Sequence, residues 1–393
     1  MDRHEKPNDG ENAEKRIVLV GAGHAHLYSL RRASEFAEHG FELVVVAPED
    51  FWYSGLATGV LAGIYPPALD RIDIAALLKG SETRLIRQAM TGLDLSARRV
   101  LLEDGTSIAF GALSLNLGSA VPPIPGTSDR VFPVKPVTRL IALRAALEED
   151  FRQGRKITVA IAGAGVTGCE VAAAVAAFIR KNAAAAEIVV YGDHVLSDLP
   201  KKGADRVRNH LRHSGVKFRS GRVTAVDGRR LTLADGAHES FDYLINATGL
   251  KPPQLISTFG LPTSADGALI VDETLMSPGA EGVFAAGDCI AFGGGLPRVG
   301  VYAIRQSPIL FHNLMAFLDG GDLQRFVPQQ RYLSIMTLGG GKGFAYRAGL
   351  WSQGSAAFWL KDWIDRRFLA AHQPQQQTDS GANRGVVTNG NEG

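Results

Sequence analysis

Two glycine-rich stretches carry the residues best suited to chemistry. One is Gly21-Ala22-Gly23 in "RIVLVGAGHAHLYSL", residues 16–30, and the other is Gly163-x-Gly165-x-x-Gly168 in "KITVAIAGAGVTGCEV". Each follows an apolar run and precedes a helix-like stretch. In such a turn the first glycine makes the bend and the second lets the backbone approach a pyrophosphate. The third lets the helix pack closely on the strand. The helix start offers unpaired N–H groups to the phosphates. In the first stretch the third place holds His26, which is expected to push the helix outward. His24 and Ala25 join the candidate contacts of that turn. The spacing points to two dinucleotide sites in one chain.

An acid at the end of the next strand would bind ribose hydroxyls. After "FELVVVAPED" the candidates are Glu49 and Asp50, with Glu49 preferred. In the second stretch "EIVVYGDHVL" carries Tyr191 and Gly192 before Asp193. No acid stands in the obvious place, so the choice between the two nicotinamide cofactors is open. "GVFAAGDCIAF" ends a strand in Gly287-Asp288. A carboxylate there accepts hydrogen bonds from a ribityl or ribose hydroxyl; the plainer reading is a helix N-cap. "VGVYAIRQSP" begins a helix whose first turn, with Val301, Tyr302 and Ala303, could face a flavin and stabilise negative charge. Arg305 and Gln306 read as ordinary helix-face residues. "DFWYSGLATGVLAGIY" could line the ring. Lys135 in "FPVKPV" could reach flavin or substrate, although a solvated lysine is the plainer reading. Lys135, Tyr302 and His24 are the candidates for a catalytic role. His24 and His26 have no second cluster at ligand spacing, so no metal is expected. Cys169 and Cys289 stand far apart and outside any CxxC pair; they read as packed thiols rather than a disulfide or nucleophiles.

These groups need elements to hold them, and the sequence repeats those elements. "LLEDGTSIAFGALSLNLGSAVPP" is echoed by "TLADGAHESFDYLINATGLKPP". Asp104 and Asp235 precede Phe110 and Phe241 by the same spacing, and Gly118 and Gly249 follow those phenylalanines by the same spacing again. The expected fold class is α/β, with two Rossmann-like dinucleotide-binding domains and a small C-terminal α+β region. The second domain, 125–250, is inserted in the first, 15–124 and 251–325. The C-terminal region is 326–372, with a flexible arm at 1–14 and a disordered tail at 373–393. The 393 residues are 45% hydrophobic and 21% charged, with net charge +2, which fits a globular protein and gives no sign of nucleic-acid binding. No stretch reads as a signal peptide or membrane span, so the cytoplasm is expected. Attachment to the inner membrane face is the alternative, because "FWLKDWIDRRFL" places Phe358, Trp359, Trp363, Ile364 and Phe368 among Lys361, Arg366 and Arg367. That pattern suits an interfacial helix, or one packed on the body or on a second subunit of a homodimer.

Together, Gly21-x-Gly23, Gly163-x-Gly165-x-x-Gly168-x-Glu170, Ala247-Thr248-Gly249 and Ala286-Gly287-Asp288 resemble the pyridine nucleotide-disulfide oxidoreductase superfamily. The chain looks most like its type II NADH dehydrogenase branch. "GAGHAH", "YSGLATGVLAGIY", "VKPV", "VGVYAIRQSP" and "LKDWIDRRF" are most similar to the flavoprotein module fused in some proteins to selenide, water dikinase. The resemblance implies FAD on the first unit and NADH or NADPH on the second, with hydride passing to flavin and electrons to a quinone or other small acceptor. It implies Gly21, Gly23 and Asp288 as FAD contacts. Gly163, Gly165 and Gly168 would contact NAD(P)H, with Glu170 nearby. The redox-active cysteine pair is missing, which argues against disulfide reduction. Gly300-Val301 and Arg305-Gln306 replace the Ala-Gln and Gln-Gln of the quinone site. The alternative is a flavin-bound redox sensor with little turnover.

Overall fold

Two five-stranded parallel sheets form the body, in a computed structural model that describes residues 13–373. The first sheet runs in the order Val283–Ala285, Ala112–Leu115, Arg16–Val20, Glu42–Val46, Arg84–Ile86. The second runs Val131–Pro133, Tyr243–Asn246, Ile157–Ala162, Ala186–Tyr191, Val216–Arg219. Most of the central strands are continuous apolar runs, as parallel strands covered on both faces must be. The Val283–Ala285 strand of the first sheet comes from chain beyond the whole second sheet, so the second unit is inserted in the first. In each sheet the chain winds one way from the central strand and later crosses to its other side. Parallel α/β sheets take ligands in the crevice at that reversal, and both glycine turns open there.

The two turns superpose by their hydrogen bonds. Gly21 donates its N–H to the Val46 carbonyl at 2.8 Å, and Gly163 donates to the Tyr191 carbonyl at 2.9 Å. Both have positive φ, +88° and +114°, the region open to glycine. A Cβ on Gly21 would collide with the Asn116 carbonyl, and one on Gly163 with the Ala247 carbonyl. Beyond this point the copies part. The second helix, Val166–Lys181, starts directly after Gly165, and a Cβ on Gly168 would strike the Gly163 carbonyl.

The first helix, Leu27–Arg31, starts only after His26. The expected outward push therefore takes the form of a later start, and the ring itself goes beneath the turn. His26 is fully buried. One ring nitrogen, Nδ1, lies 2.5 Å from the Gly21 carbonyl, and the other, Nε2, lies 2.8 Å from the Ser114 hydroxyl. A carbonyl only accepts, so Nδ1 carries the proton and Nε2 accepts from Ser114. Burial pushes this imidazole down to about 4, against the pull of the Gly21 carbonyl.

The C-terminal region is an antiparallel sheet, Ser334–Thr337, Gly343–Arg347 and Leu350–Gly354, followed by the helix Ser355–His372. Phe358, Asp365 and Leu369 of that helix face inward. Tyr53 donates its hydroxyl to Asp365 at 2.8 Å, and Tyr65 donates to Asp362 at 2.6 Å. Trp359 and Trp363 remain 64% and 59% exposed. The helix is thus packed on the body and also presents an aromatic face. Most of the expected arm and tail lies outside the described residues. At their edges, Ala13–Lys15 forms a 3-10 turn, and the Gln373 side chain donates to the Leu69 carbonyl at 2.9 Å.

A buried neutral histidine titrates against folding. Its folded value lies below the unfolded one, so its contribution is complete above pH ~6.5 and is lost as pH falls through about 4. The shift is worth about 3 kcal/mol at most. His26→Ala should lower stability at pH 7.5 and flatten its decline between pH 6.5 and 4, as read by urea unfolding. An unchanged pH slope would show that the ring is not the buried neutral clamp described.

Candidate functional site

Three chain segments meet at the mouth of the first turn: Gly21–Gly23, the residues after Ala112–Leu115, and the Gly287–Cys289 turn that follows Val283–Ala285. Asn116 sits at their junction. Its side-chain atoms would lie about 3 Å from a Cβ on Gly23 or on Gly287. Asn116 is buried, and its Nδ2 has no hydrogen-bond partner among the described residues. Its counterpart in the repeat is Ala247, whose N–H bonds to the Ala162 carbonyl as the Asn116 N–H bonds to that of Val20, so the second unit carries no side-chain amide at this place. A buried amide donor left unpaired costs about 1–3 kcal/mol. Its presence at a glycine turn fits a site built for an acceptor-rich ligand.

Asp288 lies on the same side. Its Oδ2 accepts from Lys135 Nζ at 2.7 Å and from the Ser119 hydroxyl at 2.7 Å, and Lys135 also donates to Ser119 at 2.9 Å. Burial pushes the Asp288 carboxyl up, but the Lys135 ammonium and the two hydrogen bonds outweigh it and hold the group below the ordinary carboxylate value. The solvated-lysine reading of Lys135 is therefore wrong. The loop after Val131–Pro133 carries it from the second sheet to a carboxylate of the first. Asp288 stands in a 3-10 turn, yet its side chain caps no helix.

The helix Gly300–Asp319 backs this turn. Val301 is half-buried, and Tyr302 and Ala303 are buried. Tyr302 donates to the Gln329 carbonyl at 3.1 Å. Gln306 is not an ordinary helix-face residue: it is buried, and its Oε1 accepts the Gly287 N–H at 2.8 Å. Ser307 donates to the Ala25 carbonyl at 2.8 Å. The helix thus holds both the glycine turn and the Gly-Asp turn. Arg305 is exposed, as expected. Sequence reading missed Asn116, Ser119, Gln306 and Ser307. The repeat aligns Asn116 with Ala247 and so gave no signal for it.

His24 packs among Phe51, Tyr53 and Phe368, with ring centroids 4.7, 5.6 and 5.8 Å away. Burial pushes it down to about 4, more than Asp288 pulls it up, so it is neutral at pH 7. Asp50 is committed to Arg71 and Arg87 at 2.5 and 2.6 Å, whereas Glu49 is exposed and forms no hydrogen bond or ion pair among the described residues. Glu49 thus remains free to meet a ligand. Burial pushes the Cys169 thiol to about 12 and the Cys289 thiol to about 11. Both are free and buried, which bears out packed thiols over nucleophiles.

In the second unit Gly165 has no protein atom within 4 Å of a would-be Cβ, nor do Gly118 and Gly249, which both have positive φ. Nothing in the protein explains Gly165, which leaves room for close approach of a ligand. Glu170 is turned elsewhere. Its Oε1 accepts from the Thr337 N–H at 2.8 Å, the Thr337 hydroxyl at 2.9 Å and the Thr58 hydroxyl at 3.1 Å. It ties the second unit to the first unit and to the C-terminal sheet.

The family profile described as pyridine nucleotide-disulphide oxidoreductase matches residues 15–309. The chain belongs to that family. FAD and NAD(P)H are the cofactors of the family. The chain is similar to the nitric oxide reductase FlRd-NAD(+) reductase of Aeromonas salmonicida, 29% identical over 72% of this chain and 72% of that protein. It is also similar to the demethylphylloquinone reductase NdbB of Synechocystis, 26% identical over 84% and 86%. Among solved structures, NDH2 from Plasmodium falciparum in complex with NADH superposes with a TM-score of 0.76 at 16% identity, covering 91% of this chain and 96% of that one. That likeness shows a shared fold.

Lys135→Met would leave a mostly buried carboxylate with Ser119 alone. It should cost about 1–3 kcal/mol at pH 7. The loss should shrink toward pH 4, where the freed carboxyl of the variant takes up a proton. Denaturant titration at the two pH values checks this; an equal loss at both would mean that Lys135 acts through packing and not through its charge.

Proposed function

We propose that this member of the family is an FAD-dependent NAD(P)H oxidoreductase that passes electrons to a small apolar acceptor of the quinone class. FAD, when bound, takes hydride from a reduced nicotinamide and yields electrons to a second acceptor. The observation that carries the reading is the orphaned Asn116 amide at the meeting of Gly21–Gly23 and Gly287–Asp288. On this reading Gly21, Gly23, His24, Ala25 and Gly118 surround the pyrophosphate side, and Glu49 takes a ribose hydroxyl. Asp288 and Gly287 hold the ribityl chain. Val301, Tyr302 and Ala303 bring the positive end of a long helix to the flavin. Gly163, Gly165, Gly168 and Gly249 take the nicotinamide dinucleotide. Glu170 braces the two units at fixed spacing, and His24 packs among aromatic side chains as a neutral group at working pH. The closer likeness to the module fused to selenide, water dikinase rests on the quoted stretches alone and names no acceptor.

The acceptor is argued from the C-terminal helix. Its inner face touches Tyr53, which packs against His24, while its outer face exposes Trp359, Leu360, Trp363 and Ile364, with Arg367 over Trp363. A group of exposed aromatic and aliphatic side chains beside cations suits a lipid headgroup boundary. No helix of the described residues is long and apolar enough to cross a membrane. An apolar acceptor held in a membrane would then arrive within one helix thickness of the aromatic cluster around His24.

Anaerobic holoprotein should lose its flavin absorbance at 450 nm, roughly, within seconds of adding reduced nicotinamide, and regain it with a soluble quinone. Flavin that stays oxidised with both NADH and NADPH would replace this reading with a redox sensor. Asp288→Ala should purify with much less FAD than wild type. Replacing Trp359 and Trp363 together by Ser should reduce sedimentation with anionic liposomes; unchanged binding would assign the helix to packing alone.

A further inference from the structure

The first glycine turn calibrates the second. Because Gly21 bonds to Val46 and Gly163 to Tyr191, Gly192 stands where Ala47 stands, and His194 stands where Glu49 stands. The place immediately after the second strand is where a ribose-binding acid would bind an adenosine 2′-hydroxyl. At Gly192 no side chain fits. A Cβ would lie 2.8 Å from the Ala164 Cβ and 3.1 Å from the Ala164 N–H nitrogen, inside the glycine turn itself. The backbone on both sides is pinned: the Gly192 N–H bonds to the Arg219 carbonyl at 3.1 Å, and the Leu196 N–H bonds to the Ala164 carbonyl at 2.9 Å. A carboxylate is therefore excluded by shape at Gly192, and at the place of Glu49, the acid assigned to the ribose in the first unit, the chain carries His194.

The neighbouring charges lean the same way. Asp193, the nearest acid, turns its Oδ1 to the Ser220 hydroxyl at 3.0 Å and the Gly221 N–H at 2.9 Å. Tyr191 and Arg219 are both spent on Glu239. His194 lies between Gly192 and Leu196, so the chain carries it over the Ala164 turn; it is exposed and has no bonded partner among the described residues. Lys201 and Lys202 open the following helix, exposed and outside any ion pair among the described residues. We propose that this site takes the 2′-phosphorylated dinucleotide, NADPH, in preference to NADH, with His194 as a specificity residue at the 2′-position. The inference rests on reading the second unit as the nicotinamide site.

Oxidised holoprotein is titrated by calorimetry with 2′,5′-ADP and with 5′-AMP, probes that need no hydride transfer. The 2′-phosphate should tighten binding by about tenfold or more, in a manner that salt weakens. His194→Glu should erase most of that difference and leave 5′-AMP binding unchanged. In turnover, kcat/KM for NADPH should exceed that for NADH, and the variant should bring the two close to equal. Equal or tighter binding of 5′-AMP, with a preference for NADH, would overturn the inference while leaving the oxidoreductase reading intact. If Asp193→Ala then removed the NADH preference, the ribose contact would belong to Asp193. Failure of both probes to bind, with flavin reduced by neither nicotinamide, would remove the nicotinamide site and this inference with it.

Discussion

The contact between Lys135 and Asp288 joins what the chain order separates. The lysine follows an edge strand of the second sheet, and the aspartate follows the strand that completes the first. Their side chains are 28% and 13% exposed. At that depth the attraction between the charges is largely offset by their desolvation, so the pair adds little net stability. Removing one partner is what costs. Its value is positional: it fixes which loop of one unit faces which turn of the other. Ser119, bonded to both, locks the arrangement onto the loop that also carries Asn116 and Gly118. Glu170 repeats the device on the other side, where one carboxylate oxygen gathers Thr58 and Thr337. Two parallel sheets are thereby held with their crevices in a defined relation, which a hydride path between two dinucleotides requires.

Much of this architecture was legible because it rests on backbone chemistry. A positive φ beside a carbonyl that a Cβ would strike leaves glycine alone, so Gly21 and Gly163 announce the turns. Apolar runs announce doubly covered strands, and the echo around Phe110 and Phe241, both buried, announces the repeat. The insertion could be read because the second copy arrives before the first has its Gly-Asp strand.

What stayed hidden depends on tertiary partners. Lys135 reads as solvent-facing until Asp288, 153 positions away, is beside it. Gln306 looks like a surface helix residue until the Gly287 N–H needs an acceptor. His26 takes the place of the third glycine, and the sequence does not say where its ring goes. The structure makes it a substitute: the helix begins a turn later, and the imidazole fills the gap with two hydrogen bonds. The C-terminal helix reads two ways from its sequence because its two faces differ, with Asp365 and Phe358 turned inward and Trp359 and Trp363 outward.

The central claim is that Gly21–Gly23, Asn116–Ser119 and Gly287–Asp288 form one cofactor cradle. Amide hydrogen exchange of the apoprotein with and without FAD tests it without any assay of turnover. Protection on FAD addition should concentrate in those three segments and in the first turn of Gly300–Asp319, with residues 163–168 little changed. Protection centred on residues 163–168, with the three segments unaffected, would contradict the account.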